Sequence, residues 1–82
     1  MKNLEMKNLE IEGNIRKELG YIGVIDVWIA GQYDHNMQII ISVYKDIVTD
    51  VMLADFNRLA TSYKLVLKGI MARNGKIEIF LT

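Results

Sequence analysis

The sequence predicts an α+β protein: a two-layer sandwich in α-β-β-α-β-β order, with a four-stranded, mainly antiparallel sheet and two helices on one face. Three observations predict it. Two stretches space their apolar residues three or four apart, as helices do, and four stretches alternate them in steps of two, as strands do. The strand-like stretches come in pairs joined by runs of turn-forming residues, which suits hairpins. Each pair follows a helical stretch, and Arg16, Tyr21, Val24 and Ala30 recur at one constant offset as Arg58, Tyr63, Val66 and Ala72. That match is too sparse to establish a duplication.

Leu4, Ile11, Ile15 and Leu19 form the stripe of the first helix, and Gly20 stands where it would stop. Gly13 and Asn14 leave a second arrangement open, with Asn14 capping a shorter helix and Leu9 to Glu12 becoming a brief strand. The opening Met1-Lys2-Asn3-Leu4-Glu5 is repeated at once as Met6-Lys7-Asn8-Leu9-Glu10, which fits a second start, a cloning scar or a helical arm. Tyr21 to Ala30 is rich in Ile and Val and predicts a strand; Gly31 to Asn36 is dense in turn formers; Met37 to Tyr44 alternates again. Between Asp46 and Tyr63 the residues Val48, Val51, Met52, Phe56, Leu59 and Tyr63 predict the second helix, with Asp46 as N-cap and Asp50 near the positive end of the dipole. Leu65 to Ala72 and Lys76 to Thr82 are the last strands. A two-residue Asn74-Gly75 turn would divide their apolar residues between faces. A three-residue Arg73-Asn74-Gly75 loop pairs Ala72 with Lys76 and gathers Leu65, Leu67, Met71, Ile77, Ile79 and Leu81, so this loop is the expectation.

The 82 residues, 51% hydrophobic and 24% charged, suit one small domain over residues 1–82, with residues 1–12 open to being a mobile or a helical arm. This composition is too apolar for a disordered tail, and no apolar run reaches the roughly 20 residues of a membrane span. The absence of a secretory leader pattern makes a cytoplasmic location the expectation. With neither Cys nor Pro, packing alone must hold the fold. A domain of this size buries only about 60 to 65% of the surface its unfolded chain exposes, which favours self-association.

If the helices cover Ile25, Val27, Ile29, Ile39, Ile41, Val43, Leu65, Leu67, Ile77, Ile79 and Leu81, the opposite face holds Val24, Trp28, Ile40, Tyr44, Val66, Ile70 and Phe80. A sheet face meant for water is normally polar, so these seven residues are the candidate partner-binding surface. They point to a non-enzymatic interaction module of the regulator or inhibitor type, pairing with itself or with a protein partner. Folding of the N-terminal arm over this face is the bland alternative.

Nucleic-acid binding is the second reading. The ten basic and ten acidic residues cancel overall, yet Lys64, Lys68, Arg73 and Lys76 stand against Glu78 alone in the last third, where Phe80 could stack on a base. Catalysis has little support. Tyr33-Asp34-His35 in the first hairpin loop holds the sole His, but neighbours in a tight loop point apart instead of converging in a pocket. One His, no Cys and the dispersed Asp46, Asp50 and Asp55 suggest a solvated helix face and no metal site. No phosphate loop or dinucleotide fingerprint is present, so no cofactor and no small-molecule substrate are expected.

Overall fold

Ile11, Ile15 and Leu19 recur every four residues, and in the computed structural model all three are wholly buried along one side of α1 (Lys2–Glu18). The structure describes the backbone of residues 2–23, 25–33 and 35–82, and side chains from Lys7 onward within them. Val24 of the candidate surface, Asp34 and the Leu4 side chain therefore lie outside the described residues. α1 runs unbroken through Gly13 and Asn14, so the shorter helix preceded by a strand does not form. A single 3-10 turn, Gly20–Ile22, then takes up the residues expected to open the first strand.

The sheet consists of β1 (Ile25–Gln32), β2 (His35–Val43), β3 (Leu67–Arg73) and β4 (Lys76–Leu81), in the spatial order β1-β2-β4-β3 with every neighbouring pair antiparallel. β1 and β2 pair Ile25 with Val43, Val27 with Ile41 and Ile29 with Ile39. β2 and β4 pair Ile39 with Leu81, Ile41 with Ile79 and Val43 with Ile77. This register puts the odd-numbered residues of the first two strands and of β4 on one face. There they meet Ile11, Ile15 and Leu19 of α1 and Met52, Phe56, Leu59 and Ala60 of α2 (Asp50–Ser62) in one core. The two layers follow from that alternation.

Three local expectations need correction. The second helix begins at Asp50, not after Asp46, and its N-cap is Thr49, whose side chain accepts from the Met52 amide at 3.2 Å. Thr49 is extended (φ −85°, ψ 166°), as a cap must be, while Val48 is already packed on the core before the helix starts. The first hairpin is tighter than its turn formers suggested: β1 continues to Gln32, which pairs with His35, and a bulge sets Asn36 and Met37 of β2 against the single residue Gly31. Gly31 has φ +78°, and a Cβ there would lie 2.1 Å from the Asn36 carbonyl oxygen. Only glycine fits that crossing.

The second hairpin also departs from the expected register. Arg73 pairs with Lys76, and Asn74 and Gly75 both adopt positive φ (53° and 71°), a two-residue turn of the primed type. The conflict that favoured a three-residue loop is resolved further along, by a bulge between Leu67 and Gly69. One extra residue there reverses the alternation, so Leu65 and Leu67 still pack on the core. Beyond the bulge the consequence is an exchange of faces: Ile70 pairs with Ile79 on the helix side, and Met71 pairs with Glu78 on the open side.

Candidate interaction surface

The paired registers arrange the open face as rows running across the strands. Trp28, Ile40 and Phe80 form one row, ending at Gly69 of β3. Asp26, Ser42, Glu78 and Met71 form the next. Arg73 and Lys76 lie beyond it, beside Tyr44, and together with Asn74 and Glu78 these residues line a shallow depression. On the other flank Ala30 pairs with Gln38, and Val66 exchanges two backbone bonds with Thr82 at 3.0 and 3.1 Å.

Several apolar members are open to solvent, whereas the charged members are engaged, Asp26 with the Tyr44 hydroxyl and Glu78 with Arg73 and Lys76. Trp28 is 53% exposed, Tyr44 47%, Val66 60% and Met71 48%; Ile40 and Phe80 are half-buried between their neighbours. The Tyr44 hydroxyl donates to Asp26 Oδ2 at 2.5 Å, and that bond, with partial desolvation, raises the Tyr44 pKa above its ordinary value. Glu78 lies 3.7 Å from Arg73 and 3.8 Å from Lys76. The polar groups of the face thus have partners within it, Glu78 between Arg73 and Lys76 and Asp26 on Tyr44, which leaves the Trp28–Ile40–Phe80 row as its apolar part.

Of the residues expected on this surface, Trp28, Ile40, Tyr44, Val66 and Phe80 lie on it. Ile70 does not: it is 40% exposed, but on the helix side at the sheet's edge. Met71 takes its place, and the signal for that was the Asn74-Gly75 dipeptide followed back to Gly69 as a bulge. The four cations of the second reading have different surroundings. Arg73 and Lys76 turn to Glu78; Lys64, in the left-handed region at φ 59°, has its ammonium 6.0 Å from the Tyr33 ring centroid; Lys68 is exposed at the bulge.

A second polar constellation was missed. Asp55, expected on a solvated helix face, is 8% exposed. It accepts from the Tyr21 hydroxyl, and Arg58 reaches both Asp55 Oδ1 and Glu18 Oε2 at 2.8 Å. Partial burial, reinforced by the Asp55 carboxylate, pushes Tyr21 up to about 12. A hydroxyl held protonated so firmly is a donor, not a base. The cluster clasps the 3-10 turn and the two helices, and nothing in it provides a nucleophile beside a base. His35 is exposed at the start of β2.

Among the described residues no three His, Cys, Asp or Glu side chains stand close enough to hold a metal ion, and no helix is long and apolar enough to cross a membrane. Comparison with protein-family models, curated proteins and solved structures finds no match to this chain.

Proposed function

We propose that the chain is a non-enzymatic interaction module, of the regulator or inhibitor type, that makes contact through the open face of its sheet and takes a second copy of itself as its first partner. The observation that carries this reading is the half-exposed Trp28 at the end of an apolar row on a face where Asp26 is bonded to Tyr44 and Glu78 to Arg73 and Lys76. A face with no net charge to complement favours an apolar partner. A two-fold axis parallel to the strands lays the same row of two copies on itself. Aromatic residues closed off at the centre of a contact are worth roughly 2 kcal/mol or more each.

Substitution of Trp28 by Arg tests this reading. Circular dichroism should stay native, because the indole packs on no core residue from the helix side, while concentration-dependent mass in sedimentation and capture of protein partners should both be lost. Unchanged sedimentation and unchanged binding would refute the proposal.

A further inference from the structure

The two edges of the sheet are treated differently. α1 lies along β1, and two of its side chains bond carbonyls at that edge: Arg16 donates to Ile25 at 2.9 Å and Asn8 to Gly31 at 3.3 Å. β3, at the opposite edge, receives no such cover. Among the described residues no side chain bonds to the backbone of Leu67–Arg73. The outer side of an edge strand is a row of donors and acceptors that only another extended chain can pair in register. The bulge and the charge of Lys68 guard the first half of β3. Ile70, Met71 and Ala72, exposed on alternate faces, have no such guard.

We infer that the edge of β3 over Ile70–Arg73 takes an extended peptide of a partner protein as an added strand, and that this peptide is apolar at its centre and acidic at its ends. Ile70 on one face and Met71 on the other offer each side of the incoming strand an apolar neighbour. Lys68 and Arg73 bracket that stretch, and β3 contains no acidic residue. The same charges argue against a second copy at this edge. Two-fold antiparallel pairing of β3 with itself would set Lys68 of one chain against the Arg73 and Lys76 end of the other, twice over, with one Glu78 shared between Arg73 and Lys76 in each chain. An acidic peptide meets Lys68 at one end and, at the other, the surplus positive charge left where Arg73 and Lys76 share the single Glu78 carboxylate. This inference goes beyond the face contact proposed above, because it uses the backbone of an edge and none of the Trp28 row.

The test titrates the labelled chain with a blocked hexapeptide of alternating Val and Thr flanked by Glu, and with the same peptide flanked by Lys. Amide shifts and slowed amide exchange should be confined to β3, with the acidic peptide binding about fivefold more tightly, the expectation for two exposed ion pairs. Lys68→Glu combined with Arg73→Gln should reverse or abolish that preference, with native circular dichroism as the control. Trp28→Arg should leave peptide binding intact whether or not self-association fails, so this inference and the face contact fail separately. Equal affinity for the two peptides, shifts on the Trp28 face instead of β3, an edge occupied by a second copy, or preferential protection of β3 by oligonucleotide would each overturn the inference.

Discussion

At Gly31 a single methyl group would meet the backbone of the next strand, since its Cβ position lies 2.1 Å from the Asn36 carbonyl and its φ is +78°. Neither feature can relax without moving the hairpin. Gly31→Ala should therefore lower stability by about 1 to 3 kcal/mol or more in urea denaturation; Gly13→Ala, which meets nothing within 4 Å, should not lower it. Tyr21 gives a different kind of prediction. Its pKa is raised from near 10 to about 12 in the folded chain, so the neutral hydroxyl stabilises the fold. That contribution is complete below pH 10 and is lost as pH rises toward 12. Tyr44, raised mainly by its bond to Asp26, acts in the same direction. Denaturation midpoints measured from pH 8 upward should fall less steeply for Tyr21→Phe than for the wild type. Parallel curves would show that the bond to Asp55 contributes nothing.

Among the elements, α2 depends on a cap the spacing of its apolar residues does not reveal. Both Asp46 and Thr49 precede the helix and both are capping types, yet only Thr49 bonds an amide of the first turn. Thr49→Ala should cost about 1 kcal/mol in thermal or chemical unfolding, and Asp46→Ala close to nothing. The reverse order would place the cap where the sequence first suggested it. The same comparison explains what could be read from the sequence. Periodicity named both helices, all four strands and the buried side of β1, β2 and β4, because alternation and 3.6-residue spacing survive small shifts of boundary, although Val51, expected on the apolar stripe of α2, is exposed. It could not place the bulge between Leu67 and Gly69, where one unpaired residue reverses the alternation without changing the composition. Hence Ile70 and Met71 were assigned to each other's faces. Asp55 was illegible for another reason: its partner Tyr21 lies on a different element, far away in sequence.

For the whole molecule, the helices cover one side of the sheet and leave an aromatic row on the other. The chain contains a single tryptophan, Trp28, so its emission reports on the open face alone. Fluorescence and iodide quenching measured across a wide range of protein concentration test the central claim most directly. As copies assemble, the emission should shift to shorter wavelength and iodide should lose access to the indole, while Trp28-independent probes of the fold stay constant. An indole that remains fully quenchable at concentrations where the chain is self-associated would contradict the account.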